Sequence, residues 1–311
     1  MPIRHSRAGG DPGRPVTRHL VAVDWGNSSL RVARIGGDGA MLEQRSSERG
    51  ILTVPAGAFP DILRETCGDW LNQPDVLCLV SGMAGSRQGW QEAPYCTCPA
   101  GFADVARALA WIEPGRIALV PGLCFDFLGT PDALRGEEVQ VFGAMDLLGL
   151  DDGVFVLPGT HCKWVRVAEG RVQSFATFMS GEFYALLRHQ SILARTMPAE
   201  DGPLDDDAFL RGVHHAQQAR SLLHSAFSAR TLALFERLGG QALPSYLSGL
   251  VIGEELRARS LHGMEVVLIG APALAERYAL ALRTLGCASR SLGSEATWRG
   301  HWALARTLHQ A

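Results

Sequence analysis

The sequence predicts an α/β protein built from two similar halves, and three observations predict it. Short apolar runs that read as strands alternate with segments of helical spacing along the whole chain. A length of 311 residues suits about two domains. One strand–glycine turn–strand unit occurs twice, once in each half, as an internal duplication would leave it.

The elements follow in order. Residues 1–18 carry Arg4, Arg7, Arg14 and Arg18 among prolines and glycines and read as a disordered basic tail. They lack the apolar stretch of a secretory signal, so a cytoplasmic protein is expected. His19–Val23 and Leu30–Ile35 read as strands flanking Asp24-Trp25-Gly26-Asn27-Ser28-Ser29. Phe59, Ile62, Leu63 and Thr66 to Trp70 have helical spacing, and Val76–Val80 is a buried strand. Residues 102–112 read as helix, 117–120 as strand and Glu137–Leu148 as helix. A second hairpin runs from Val154 through Pro158-Gly159-Thr160-His161 to Val167. Beyond Gly181 the chain reads as mostly helical to about residue 258. A strand at Glu265–Ile269 and helices near 272–285 and 295–309 complete it. The expected domains span 19–150 and 151–294, with the helix of residues 295–311 packing back on the first.

Composition narrows the function. Lys plus Arg number 29 against 32 acids, a net charge of −3 without a basic block, which argues against a nucleic-acid partner. No apolar run approaches the roughly 20 residues of a membrane helix. The seven cysteines lack the Cys-x-x-Cys spacing of a zinc or redox site and read as reduced thiols. His214, His215 and His224 have no acid or cysteine at ligand spacing and read as a solvated face. Nothing in the pattern sets the oligomeric state; a dimer is compatible with it.

The duplicated unit points to chemistry. Val21-Ala22-Val23-Asp24-Trp25-Gly26-Asn27-Ser28 aligns without gaps on Val154-Phe155-Val156-Leu157-Pro158-Gly159-Thr160-His161. A glycine with small polar neighbours lets backbone N–H groups converge on an anion. Gly26, Asn27 and Ser28 thus form one candidate phosphate turn, and Gly159, Thr160 and His161 the other. Asp24 has no counterpart in the second copy, where Leu157 stands. That asymmetry suits one Mg²⁺, which prefers carboxylate and water oxygens. Lys163 offers a neutralising charge. Two ordinary glycine-turn hairpins would read the same way one at a time; it is their pairing that favours phosphate.

Three further segments carry candidates. Arg135-Gly136-Glu137-Glu138 opens a helix, where acids suit the dipole. One of them could instead take a hydroxyl proton in phosphoryl transfer, and residues about 100° apart cannot both face one site. Ser86, Arg87 and Gln88 lie in a glycine-rich loop after a buried strand, where α/β proteins place ligands, and an arginine fork suits a carboxylate. Gly270 follows the last clear strand.

In this order the motifs resemble one family from about residue 19 to 308. They include Asp24-Trp25-Gly26, Gly82-Met83-Ala84-Gly85-Ser86-Arg87-Gln88-Gly89-Trp90, Glu92-Ala93-Pro94-Tyr95 and Arg135-Gly136-Glu137-Glu138-Val139-Gln140. Leu157-Pro158-Gly159-Thr160-His161, Lys163-Trp164-Val165, Met179-Ser180-Gly181-Glu182 and Ser248-Gly249-Leu250-Val251-Ile252-Gly253 extend the match. The chain resembles the 2-dehydro-3-deoxygalactonokinases of the actin/hexokinase/Hsp70 ATPase superfamily. The resemblance implies two ribonuclease-H-like domains with MgATP in the cleft between them. It also implies phosphorylation of 2-dehydro-3-deoxy-D-galactonate at its 6-hydroxyl, in D-galactonate catabolism. Asp24 would then lie near the metal and Gly270 near the adenosine. The related exopolyphosphatases carry a similar glutamate pair whose second member is catalytic, so Glu138 is the expected base and Glu137 falls to the substrate. Arg87 as a clamp for the substrate carboxylate rests on charge alone. Cys162, Ser180 and Gln190 depart from the family pattern. The competing readings are a phosphoanhydride hydrolase, a kinase for another keto-deoxy sugar acid, and a nucleotide sensor without catalysis.

Overall fold

The computed structural model describes residues 19–73, 75–259, 261 and 263–308. The tail expected over residues 1–18 lies outside them. As the class predicted, strands and helices are mixed. Strands β1 (His19–Trp25), β2 (Leu30–Ile35) and β3 (Met41–Ser47) form an antiparallel meander. Helix α1 (Phe59–Leu71) leads to β4 (Val76–Gly82), which runs parallel to β1. There follow β5 (Tyr95–Thr97), α2 (Phe102–Arg107), β6 (Ala110–Glu113), β7 (Ile117–Leu119), β8 (Gly122–Phe127), β9 (Thr130–Leu134) and α3 (Glu137–Leu148).

The second half repeats the plan. Strands β10 (Gly153–Leu157), β11 (Cys162–Ala168) and β12 (Arg171–Phe178) form another antiparallel meander. Helices α4 (Ser180–Gln190), α5 (Asp206–Gln218), α6 (Leu222–Ser225), α7 (Ser228–Leu234) and α8 (Leu243–Arg257) intervene before β13 (Glu265–Ile269). Then come α9 (Pro272–Thr284), β14 (Ala288–Leu292) and α10 (Glu295–Leu308). The large sheets have the orders β3-β2-β1-β4-β7-β6 and β12-β11-β10-β13-β14, so five strands of each share one topology. Strands β5, β8 and β9 form a small third sheet.

Both central strands are apolar on both faces because both faces are covered. Leu20 and Ala22 of β1 join a core with Phe142 of α3 and Trp298 of α10, while Val21 and Val23 pack with Phe59 and Leu63 of α1. On β10, Phe155 and Leu157 face the α3–α10 core, and Val156 faces Ile252 of α8 and Tyr278 of α9. Helices α3 and α10 therefore form one layer shared by the two sheets. Helix α10 lies on β1, β2 and β4, and α3 reaches β13.

The helix expected at 102–112 is a correction. It stops at Arg107, and Ala110–Glu113 pairs antiparallel with β7 instead. Its apolar spacing suits either element, and the open edge of the sheet decides the outcome. Strand β1 is two residues longer than expected and carries Asp24 inside the sheet.

Helices α3 and α10 meet at backbone distance. A Cβ on Gly143 would lie 1.7 Å from the carbonyl oxygen of Ala296, and one on Gly300 would lie 1.9 Å from that of Val139. Alanine is the better helix former by about 1 kcal/mol, but here it cannot fit without separating the helices. Gly300→Ala should therefore destabilise the protein by about 1–3 kcal/mol, the range for overpacking, read as a lower denaturation midpoint. A midpoint at or above that of the parent chain would contradict this packing.

Candidate active site

The first hairpin closes on the pair Trp25–Leu30, with Asp24 opposite Arg31. The Arg31 guanidinium donates to one oxygen of Asp24, through Nε at 3.1 Å and through Nη2. The Gly26 N–H bonds the Ser29 carbonyl at 2.9 Å, and Asn27 and Ser28 lie exposed at the tip. The second hairpin closes on Leu157–Lys163, so its loop holds one residue more. Thr160 and His161 are exposed there, and His161 Nε2 lies 2.6 Å from Glu182 Oε2.

This difference in register alters the pairing read from sequence. Gapless alignment sets Lys163 against Leu30, but in the fold Lys163 faces Leu157 as Arg31 faces Asp24. Arg31 and Lys163 are thus the equivalent cations. Sequence reasoning missed Arg31; counting back from the closing pair of a four-residue turn would have found it. Lys163 is buried, donating to the Ala133 carbonyl at 3.1 Å and to the Thr177 hydroxyl at 2.8 Å. Asp132 accepts from both the N–H and the hydroxyl of Thr177, joining β9 to β12.

The head of α3 is held against the end of β1 by two glycines with positive φ. Gly82 has φ 86° and Gly136 has φ 107°. A Cβ on Gly82 would lie 2.8 Å from the Trp25 carbonyl oxygen, and one on Gly136 would lie 3.0 Å from the Cα of Gly82. Side chains rarely adopt this conformation, and here there is no room for one. Glu138 is fully buried by this arrangement. Its Oε2 accepts from the Gly136 N–H at 2.7 Å, while Oε1 has no hydrogen-bond partner among the described residues. Burial, and next the neighbouring Glu137 charge, push its carboxyl from the usual 4.5 up to about 8. Glu137 is half-buried and accepts from the Arg135 N–H at 2.8 Å. Burial raises its pKa, Lys163 opposes that rise and Asp24 adds to it, so the charges of both hairpins act on this carboxylate.

The arginine loop is sorted by direction. The Ser86 hydroxyl is buried without a partner among the described residues, whereas Arg87 and Gln88 are exposed. Arg87 is 85% exposed and ion-paired with Glu92 at 2.9 Å, so its guanidinium is not gathered in with Glu138. The inward arginine is Arg135, which donates to the Ala93 carbonyl at 2.9 Å and stacks on Tyr95 at 4.2 Å. Gly270 lies at the end of β13 beside Pro158. The turn that follows Pro158 borders a cavity of about 280 Å³ whose lining includes Gly159, Thr160, Tyr184, Ser248 and Arg277.

The site therefore has two parts. Asp24, Glu137, Glu138 and Lys163 form a charged group around the head of α3. Gly159 and Thr160 border a cavity whose lining also includes the apolar side chains of Val251, Ile252 and Leu274, while Gly270 lies against Pro158, the residue before that turn. Asp24 presents a half-buried carboxylate, a hard oxygen donor of the kind Mg²⁺ takes. A partnerless buried carboxylate oxygen beside that group suits a ligand proton or hydroxyl. Because the folded pKa of Glu138 lies above its unfolded value, its stability contribution is present below about pH 4.5 and lost as pH rises through about 8. Glu138→Gln should flatten the fall in urea stability over that window; an unchanged slope would contradict the burial described.

Comparison with known proteins places the chain. The family model for 2-keto-3-deoxy-galactonokinase matches residues 24–304. The 2-dehydro-3-deoxygalactonokinase of Escherichia coli (strain K12) is 32% identical over 275 residues, 88% of this chain and 92% of its own length. A crystal structure of a Sinorhizobium meliloti protein, 35% identical, has a TM-score of 0.85 and covers 92% of this chain and 98% of its own. Component A of (R)-2-hydroxyglutaryl-CoA dehydratase from Acidaminococcus fermentans is 11% identical with a TM-score of 0.50, covering 93% and 96%. That last likeness is of fold alone, the actin/hexokinase/Hsp70 ATPase fold. With its family model running through both sheets and both hairpins, the chain belongs to the 2-keto-3-deoxy-galactonokinase family.

Proposed function

We propose that the protein transfers the γ-phosphoryl group of ATP to the 6-hydroxyl of 2-dehydro-3-deoxy-D-galactonate, a step of D-galactonate catabolism in the cytoplasm. The observation that carries this reading is the buried, half-satisfied carboxylate of Glu138 at the head of α3, beside the end of the first hairpin. Family membership supports the substrate class.

In this reading the exposed turns at Gly26-Asn27-Ser28 and Gly159-Thr160-His161 hold the nucleotide's phosphates through backbone N–H groups and hydroxyls. The base and ribose enter the cavity beside Gly270, whose volume of about 280 Å³ is near the low end for ligand pockets. Asp24 would hold Mg²⁺, with Arg31 restraining the carboxylate from the neighbouring strand. The ion, when bound, neutralises charge on the transferred group. Lys163 adds fixed positive charge from behind the second turn.

The sugar acid lies against the Gly82–Trp90 loop, with the Ser86 hydroxyl and Glu137 turned toward it. Arg87 and Gln88 stand at the mouth. The Arg87–Glu92 pair lies at the surface, where solvent screens it, so an incoming carboxylate can displace Glu92. Glu138 Oε1 takes the proton as the 6-oxygen bonds to phosphorus and the bond to the β–γ bridging oxygen breaks, releasing ADP. Glu138 must be ionised to act, and burial keeps it protonated below about pH 8.

Purified protein should release ADP from MgATP in the presence of 2-dehydro-3-deoxygalactonate, with kcat/KM rising with pH toward about 8. Glu138→Gln should lower kcat on the order of 10²–10⁴-fold, the usual worth of a positioned base, with ATP affinity retained. ATP binding without turnover of this acid would contradict the substrate. Phosphate release from polyphosphate alone would favour the hydrolase.

A further inference from the structure

Behind the second turn lies a buried carboxylate that none of these roles uses. Glu255 of α8 is 2% exposed. Its Oε1 accepts from Trp164 Nε1 at 2.6 Å, and its Oε2 accepts from the Tyr278 hydroxyl at 2.8 Å and from the Ser180 hydroxyl. The donors come from β11, α9 and the head of α4, so one side chain ties three elements to a fourth. Arg259, whose guanidinium lies 5.3 Å from the Trp164 ring and 4.7 Å from that of Phe178, feels the Glu255 charge.

A charge taken out of water is costly, and well-packed apolar residues often replace such a knot without loss of stability. Stability alone is therefore a weak account of Glu255. Its neighbours supply a better one. Ser180 and Tyr278 both line the 280 Å³ cavity beside Gly159 and Thr160. The two residues after Ser180 touch the second turn directly. A Cβ on Gly181 would lie 2.4 Å from the Gly159 carbonyl oxygen. The Glu182 N–H donates to the Thr160 carbonyl at 3.0 Å. Glu255 thus reaches the turn through one hydroxyl and two backbone contacts.

We infer that Glu255 is a positioning residue for the nucleotide. By holding Ser180 and Tyr278 it fixes the head of α4 under the Gly159–Thr160 turn and sets a wall of the adjoining cavity. ATP then meets a preformed site, and no loop has to be ordered on binding. This rests on the proposed reading of Gly159–Thr160 as a phosphate turn. The sugar-acid side, built around α3 and the Gly82–Trp90 loop, lies outside the network.

The test measures binding of Mg²⁺–AMP-PNP by calorimetry, together with KM for each substrate. Glu255→Gln removes the negative charge to which the two hydroxyls and the indole donate, and Ser180→Ala removes one donor. Each should weaken nucleotide binding about tenfold or more, the scale of one hydrogen bond to a charged group, with the sugar-acid KM little changed. Ser180→Thr keeps the hydroxyl and should restore affinity lost in Ser180→Ala. If Glu255→Gln does not fold, Ser180→Ala against Ser180→Thr decides. Parent-like nucleotide affinity in Glu255→Gln and Ser180→Ala overturns the inference, as does an equal loss for both substrates. A parent chain that binds the nucleotide but leaves the sugar acid unphosphorylated would contradict the proposed substrate and not this inference.

Discussion

The crossing of α3 and α10 sets the geometry on which the rest of the molecule depends. Gly143 and Gly300 place each helix against the backbone of the other, and Gly300 meets the carbonyl of Val139, the residue after Glu138. Among the described residues, the two helices form a layer that packs against both large sheets in the main core. Their separation therefore fixes how far apart the two hairpins stand and where the head of α3 lies between them. Protein interiors transmit such constraints because they are packed like solids. Glu138 stands one residue from one of the two backbone contacts of that layer, so its carboxylate is held with it.

The duplication is a repeat of topology with unequal chemistry. In the first hairpin the cation opposite the key position meets a carboxylate, Arg31 on Asp24. In the second, Lys163 stands opposite Leu157 and turns to a backbone carbonyl and a hydroxyl. One half can thus offer oxygen ligands to a cation while the other contributes positive charge alone. Between them, two opposing effects act on Glu138. The start of a helix favours an anion by roughly 0.3–1 kcal/mol, but burial and the adjacent Glu137 outweigh it and leave the group able to exist neutral near pH 7.

Much of this was legible in the residues, for physical reasons. Helix α3 spans Glu137–Leu148 as predicted because acids open it and Gly149, in the left-handed region, closes it. Strand β13 matches the expected Glu265–Ile269 because its apolar run is bounded sharply by Gly270. The third sheet was not legible. Strand β9 reads Thr-Pro-Asp-Ala-Leu and gains its order from pairing with β8 and from Asp132 holding Thr177. Strand β3 is an exposed edge without apolar alternation. Within the site, Ser86 and Arg87 are adjacent in a glycine loop, and only the turn's path sends one inward and the other to solvent. Glu255 left one unused signal, an acid on a helix that is otherwise buried from Leu243 to Gly253.

The claim that two glycine turns and Glu138 serve one reaction is tested most directly by a crystal structure with Mg²⁺–AMP-PNP and the sugar acid bound together. The account predicts the β- and γ-phosphates lying between Gly26 and Gly159, with the 6-hydroxyl within hydrogen-bond reach of Glu138. A nucleotide held by one turn alone, or a sugar whose 6-hydroxyl points away from Glu138, would contradict it.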